Sequence, residues 1–289
     1  METKPLVVIV GPTASGKTSL AIEVAEKVGG EIICADSRTV YKCMDIGTAK
    51  PTQEEQGRVP HWGLDLVEPD VRFTVADFKR YADLMIAEIR SRGNIPILVG
   101  GTGLYVDAVI FDYSFGPVAD PGRRELYESM SLEQLHKYCY DNNIMLPENE
   151  KNKRYVIRAI ERKSVEPKRE KAPIDNTIIV GIATDKDELY KRIEQRAHTI
   201  VSLDMIHEAQ KLANHYGWNH ESMTGNIYPL CRSYIGGTLT MDELLSHFIT
   251  LDRRLAKRQM TWLRRNPYIE WCSLDSAKDR ILSLLASEQ

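Results

Sequence analysis

Hydrophobic positions in the first hundred residues alternate between short unbroken runs and stripes of helical period. Leu6–Val10 is an apolar run between Pro5 and Gly11, which predicts a buried strand. Leu20, Ile22, Val24, Ala25 and Val28 then recur at helical spacing, and Gly29-Gly30 ends that helix. A second strand is predicted over 31–35, running into Asp36. Phe78, Tyr81, Ala82, Met85, Ile86 and Ile89 mark one face of a helix over 74–92, with Gly93 after it. A third strand over 95–99 leads into Gly100-Gly101 and a short helix from about Leu104. Strand and helix in turn imply an α/β fold, with a parallel sheet and helices on both faces.

The pattern changes at about residue 119. From there to 171 the chain is polar, basic and helical, with no strand signal, and it is expected to form an inserted helical subdomain. The core is then 1–118 together with 172–289. The sheet resumes over 177–183. Helices are predicted over 186–200, 204–215 and 241–264, a last strand over 268–272 and a last helix over 276–286. Trp262 and Leu263 fit a core position. The sequence holds no internal repeats and no low-complexity linker.

Three candidate sites follow strands at what should be the same sheet edge, where ligands of such sheets sit. The first is Gly11-Pro12-Thr13-Ala14-Ser15-Gly16-Lys17-Thr18, which fits GxxxxGK[ST] between a strand and a helix. Glycines let backbone N–H groups turn inward on a phosphate, and the helix adds its positive end. Lys17 brings a mobile cation, and the Thr18 hydroxyl is a ligand for Mg²⁺. Kinases, ATP-binding NTPases and transferases all use such a loop, so the motif fixes the ligand class and leaves the reaction open. The second site is Asp36, suited to a water-mediated metal contact or to taking a proton from a nucleophile. A turn or N-cap aspartate is an equal reading of Asp36 alone. The third is the Gly100–Gly103 turn with Thr102.

Net charge narrows the partners. The formal charge is -3 and the isoelectric point about 6.2, which disfavours a globally basic, nonspecific nucleic-acid binder. Two stretches are locally basic. One holds Lys151, Lys153, Arg154, Arg158, Arg162, Lys163, Lys168, Arg169 and Lys171; the other holds Arg253, Arg254, Lys257, Arg258, Arg264 and Arg265. The cysteines Cys34, Cys43, Cys139, Cys231 and Cys272 are scattered, with no CxxC pair, which predicts neither a zinc site nor a disulfide framework. His198, His207, His215 and His220 lack metal-ligand spacing. No apolar run is long enough for a signal peptide or a membrane span, and a cytoplasmic protein is expected. A monomer is the working expectation.

The stretches GPTASGKT (11–18), ADSRTVYKCMDIGTAKP (35–51), PHWGLD (60–65), FTVADF (73–78), PILVGGTGLY (96–105), ADPGRR (119–124) and LAKRQMTWLRR (255–265) occur in the same order in tRNA dimethylallyltransferases, which this chain resembles. The resemblance implies transfer of a dimethylallyl group from dimethylallyl diphosphate to N6 of adenine 37 in the tRNA anticodon loop, with Mg²⁺ as cofactor. It implies that Asp36 is the general base, that Thr102 and Lys17 act at the reacting centre, and that the loop holds the diphosphate. It places Asp36, Ser37, Arg38, Thr39, Thr102, Arg124, Arg154 and Arg158 at the tRNA, with Arg232 and Arg253 as further basic candidates. Free AMP, ADP or ATP as acceptor, as in adenylate isopentenyltransferases, is the alternative chemistry. A tRNA-binding paralogue without turnover is another reading, and a small-molecule kinase a third.

The sequence departs from the family at three places. Thr39 stands where the family has glutamine. The inserted region reads LPENEKNKRYVIRAIE in place of the usual HPND lead into its helix. Residues 226–234 replace a GY[RK]E-like stretch, so that Pro229 falls where relatives carry a basic residue, with Arg232 as a substitute.

Overall fold

The computed structural model describes residues 3–115, 121–162 and 168–287. Ala119 and Asp120 of the ADPGRR stretch, the expected domain boundary at 118/119, and Lys163 of the basic segment lie outside them. The residues group into two compact units: 1–111 with 172–289, and 112–171.

Among the described residues, the larger unit is built on a six-stranded sheet in the order β3-β2-β4-β1-β5-β6, every pair parallel. In chain order, β1 (Leu6–Val10) leads into α1 (Lys17–Val28) and β2 (Gly30–Cys34). After these come α2 (Gln53–Arg58), β3 (His61–Trp62), α3 (Val75–Ser91), β4 (Ile95–Gly100) and α4 (Gly103–Ile110). The smaller unit holds α5 (Pro121–Ser129), α6 (Leu132–Asp141) and α7 (Lys153–Arg162). The larger unit then continues with β5 (Thr177–Ile182), α8 (Lys186–Ile200), α9 (Leu203–Tyr216), α10 (Tyr228–Ile235), α11 (Met241–Leu263), β6 (Glu270–Cys272) and α12 (Leu274–Ser287).

The central strands are buried on both faces, which is why they read as continuous apolar runs. Val7, Ile9, Ile32, Ile97, Val99 and Val180 pack with Leu20 and Val24 of α1 and with Ile281 of α12. Helix starts are fixed by side chains: Thr74 with Asp77 and Thr240 with Glu243 form reciprocal capping boxes at α3 and α11. A second cluster gathers Val40, Tyr41 and Met44 with α9, α10 and the first half of α11, and it anchors the segment after Asp36. The smaller unit has its own core of Tyr127, Leu135, Cys139, Val156, Ile157 and Ile160.

Three elements fall outside the hydrophobic periodicity: α2, β3 and α10. The short β3 has two residues, and α10 carries Pro229 in its first turn, where proline is tolerated. Leu263 is buried as expected, but Trp262 is not a core residue. The residue is 37% exposed, its indole N–H donates to Asp107 at 2.7 Å, and it covers Gly103 so closely that a Cβ there would lie 2.1 Å from Trp262 Cδ1. No helix among the described residues is long and apolar enough to cross a membrane.

Candidate active site

The phosphate loop leaves β1 at Val10 and enters α1 at Lys17. Gly16, the residue before the helix, has φ +87°, which a side chain would strain. Gly11 is closed on the other side: a Cβ there would lie 2.6 Å from Ser15 Oγ. Ser15 Oγ is buried with no hydrogen-bond partner among the described residues. A buried hydroxyl without a partner needs a ligand or water. Lys17 Nζ donates to the Pro12 carbonyl at 3.2 Å. Burial lowers the Lys17 ammonium to about 8, the neighbouring Asp36 pulls it back up, and Arg196 pushes it further down.

Asp36 follows directly on β2. Its Oδ1 accepts from the Arg38 backbone N–H at 2.7 Å, so one oxygen shapes the turn while the side chain still lines the cavity. Thr102 Oγ1 accepts from the Ser37 N–H at 3.2 Å, tying the turn after β4 to the turn after β2. Gly100 is needed for that approach, since a Cβ there would lie 2.1 Å from the Ala35 carbonyl oxygen. The Arg38 guanidinium donates to the carbonyls of Glu221 at 2.8 Å and Ser222 at 3.4 Å, and to Thr224 Oγ1 at 3.1 Å. Thr39 is buried, and its hydroxyl has no hydrogen-bond partner among the described residues.

The segment after this turn is held from two sides. The Glu208 carboxylate of α9 accepts from the N–H groups of Asp45, Ile46 and Gly47 at 2.9, 2.8 and 3.0 Å, and from the Tyr228 hydroxyl at 2.9 Å. Buried Lys50 pairs with Asp45 at 2.5 Å and Asp65 at 2.7 Å. Gly47, Thr48 and Ala49 are thereby fixed in the cavity wall.

Helix α11 supplies the opposite wall. Asp252, Leu255 and Gln259 lie three and four residues apart, hence on one face, and all three line the cavity, as does exposed Arg258. The Gln259 side-chain oxygen accepts from the Thr13 N–H at 2.8 Å. From α8, Arg196 reaches the Thr13 hydroxyl and Asp252, the latter at 3.5 Å. Asn226 donates to the other Asp252 oxygen at 2.8 Å. The cavity measures about 550 Å³, room for a small organic diphosphate beside a planar ring.

Most of the residues singled out in the sequence meet here. Thr13, Ala14, Gly16, Lys17, Thr18, Asp36, Ser37, Arg38, Thr39 and Thr102 line the cavity, with Gly11, Pro12 and Ser15 buried in the loop behind. Two others in the larger unit do not line it. Arg232 is exposed on α10, with its guanidinium 5.9 Å from the Trp218 ring centre. Arg253 stacks on Tyr190 at 4.8 Å and pairs with Glu194 at 3.3 Å. Arg124, Arg154 and Arg158 belong to the smaller unit. There Arg124 pairs with Glu161 at 2.7 Å and Glu128 at 2.8 Å, Arg154 is exposed on α7, and Arg158 is half-buried.

Sequence reasoning did not single out Arg196, Asn226, Asp252 or Gln259. Gln259 stands inside LAKRQMTWLRR, and its spacing from Asp252 was a usable signal. Arg196 had no local signal, being 183 residues from Thr13. No group of three or more His, Cys, Asp or Glu able to hold a metal occurs among the described residues. The Thr18 hydroxyl has no hydrogen-bond partner among them and lines the cavity. That donor set fits an ion held by one hydroxyl, phosphate oxygens and water, the usual habit of Mg²⁺.

The family model described as IPP transferase matches residues 39–266. The tRNA dimethylallyltransferase of Pelotomaculum thermopropionicum is 38% identical, over 96% of this chain and 93% of the relative. That of Acetivibrio thermocellus is 39% identical, over 93% and 92%. Among solved structures, the tRNA isopentenylpyrophosphate transferase of Bacillus halodurans superposes with a TM-score of 0.76 at 36% identity, covering 99% of this chain and 97% of that one. A eukaryotic dimethylallyltransferase acting on tRNA shares the fold at a TM-score of 0.75 and 22% identity.

Proposed function

The chain belongs to the IPP transferase family, and on that premise we propose how its cavity performs the transfer. The enzyme moves a dimethylallyl group from dimethylallyl diphosphate to N6 of adenine 37 in tRNA and releases diphosphate. One observation carries the assignment of roles: the phosphate loop, the Asp36 carboxylate and Thr102 open into a single cavity.

The loop N–H groups, the N-terminal end of α1 and Lys17 hold the diphosphate, and Ser15 and Thr18 offer hydroxyls to it or to its ion. These groups meet the negative charge that grows on the leaving oxygen as the C1–O bond breaks. The Thr18 hydroxyl would hold Mg²⁺, and that ion would add to the neutralisation of the charge. The adenine is turned out of the anticodon loop to reach the cavity, as base-modifying enzymes require. Its N6 lone pair forms the new bond to C1, and the N6 proton passes to Asp36. The exocyclic amine is a weak nucleophile because its lone pair is shared with the ring, so a carboxylate acceptor matters as positive charge develops on nitrogen.

Thr102 keeps the Asp36–Ser37 turn in place through the Ser37 N–H. Arg38 acts through its bonds to 221–224, as a brace for the acceptor side of the cavity. The smaller unit is the tRNA-contacting subdomain: exposed Arg154 and its basic neighbours on α7 add salt-dependent phosphate affinity. The protein acts as a monomer in the cytoplasm, where its cysteines, all free among the described residues, stay reduced.

The test is transfer of radiolabelled dimethylallyl diphosphate to unmodified tRNA carrying adenines at 36, 37 and 38. The protein labels this tRNA, and Asp36→Ala abolishes labelling while donor binding persists. Transfer to AMP with none to tRNA would reassign the acceptor. No transfer to either, with tRNA still bound, would mark a binding protein.

A further inference from the structure

Two turns set the two halves of the transfer. The phosphate loop fixes the donor. The Asp36 turn fixes the attacking amine and is tied to Thr102, whose Oγ1 accepts from the Ser37 N–H at 3.2 Å. The loop and the 100–103 turn leave neighbouring parallel strands, with Val10 paired to Gly100. The ladder between them ends there, since β1 stops at Val10 and β4 at Gly100. Reacting atoms must sit about 3–3.5 Å apart, so another element has to register the two turns beyond the strand ends.

Helix α11 reaches both turns with two side chains. Gln259 and Trp262 are three residues apart and so share a face. The Gln259 side-chain oxygen accepts from the Thr13 N–H of the loop at 2.8 Å. Because that partner is a donor, the amide nitrogen faces the other way. It abuts Gly101, where a Cβ would lie 2.5 Å from Gln259 Nε2 and 3.1 Å from the Gly11 carbonyl oxygen. One amide is thus wedged between loop and turn. Trp262 fills the matching socket at Gly103, where a Cβ would lie 2.1 Å from its Cδ1. Its indole N–H is pinned at 2.7 Å to Asp107 of α4, the helix that Gly103 opens. Thr102 stands between the two sockets. Neither Gly101 nor Gly103 has a positive φ, so it is contact with α11, and not backbone conformation, that excludes a side chain there.

We propose that Gln259 is a positioning residue for the transfer, with Trp262 as its anchor: together they key α11 into the glycines on either side of Thr102 and set the spacing of donor and acceptor. The assignment rests on the transfer reading given above and adds to it the element that registers its two halves. Gln259 acts through the Thr13 backbone and the Thr102 turn. Its loss leaves the loop and the Asp36 turn each intact and changes only their separation. The chemical step then suffers while each substrate still binds.

The experiment uses the full chain and takes three measurements on each variant. These are single-turnover transfer to tRNA at saturating dimethylallyl diphosphate, calorimetric affinity for inorganic pyrophosphate with Mg²⁺, and tRNA affinity by filter binding. Gln259→Met keeps the length of the side chain and loses the bond to Thr13. Its single-turnover rate falls about 10- to 100-fold, the cost of a shift of up to about 1 Å between reacting atoms, while both affinities stay within about threefold. Trp262→Phe keeps a ring over Gly103 and loses the bond to Asp107, and its rate falls about 3- to 10-fold, the effect of one hydrogen bond. The double variant loses less than the product of the single losses, since both substitutions act on one spacing. A role in stability alone would lower the melting temperature and leave the rate of the folded protein unchanged.

The proposal is overturned if Gln259→Met transfers at the unsubstituted single-turnover rate, whatever its melting temperature. It is also overturned if pyrophosphate or tRNA affinity falls in step with the rate, which would make Gln259 a direct ligand of one substrate. Should Gln259→Met fail to fold, Trp262→Phe decides by the same three measurements: a slower rate with both affinities kept supports the spacing role, and an unchanged rate ends it. Unsubstituted protein that labels tRNA, with Gln259→Met labelling it as fast, keeps the function and loses this assignment. Unsubstituted protein that labels no acceptor removes the transfer reading and this assignment with it.

Discussion

Replacing Gly100 by alanine tests whether catalysis depends on the close approach of β4 to the end of β2. In the structure an added methyl would lie 2.1 Å from the Ala35 carbonyl oxygen and 2.7 Å from Ala35 C and Cβ. Real Cβ contacts essentially never fall below 3.0 Å, so the strand ends must part by about 1 Å. The obstacle is backbone, and Ala35 is pinned by its N–H to the Val99 carbonyl at 2.7 Å, so no side chain can swing aside. The shift falls on the residue next to Asp36. A displacement of about 1 Å at a reacting group costs about 100-fold in rate. Overpacking should cost about 1–3 kcal/mol of stability, a melting shift of about 2 to 10 °C for a chain of this size. The assay is single-turnover transfer to tRNA at saturating donor, with thermal melting in parallel. A Gly100→Ala protein that transfers within about threefold of the unsubstituted rate would falsify the claim that this contact sets the position of Asp36.

Other expectations follow from single contacts. Glu208→Ala strips four hydrogen bonds from the 45–47 turn and Tyr228; it should lose about 2–4 kcal/mol by urea unfolding and raise the donor KM, and no change in either sinks the clamp. Donor affinity should fall as pH rises through about 8, because burial lowers the free-state ammonium of Lys17 to that value and the neutral amine above it no longer attracts phosphate; in Lys17→Met the affinity should be low and flat over the same range, and an equally steep slope there assigns the titration to another group. Gly57→Ala, in α2 with nothing within 4 Å of an added Cβ, should stabilise the protein by about 0.5–1 kcal/mol on helix propensity and leave transfer untouched, with a thermal melt as the check.

The sequence by itself determined what depends on neighbours along the chain. Burial on both faces forces a strand such as Leu6–Val10 to be apolar throughout, and a helix with one buried face must repeat every three or four residues, as 75–91 does. The phosphate loop is equally local, because its function is carried by consecutive backbone groups. Elements that owe their form to partners elsewhere left no such trace: β3 exists through two residues paired to β2, and α10 through packing of Tyr228 and Cys231 against α9 and α11. Local reasoning also set Trp262 in the core on hydrophobicity, whereas its indole N–H finds Asp107 at the surface.

Only the tertiary structure decided which basic residues face the phosphate loop. Arg232 lies close to the expected position in sequence, yet the turn of α10 sends it to Trp218. Arg196 and Gln259 lie 183 and 246 residues from Thr13 and meet it across the cavity. Helical period tells which residues share a face; it does not tell which face another helix covers. That choice is made by the packing of α8 against α11, where burial is non-directional and the few hydrogen bonds across the cavity select the arrangement.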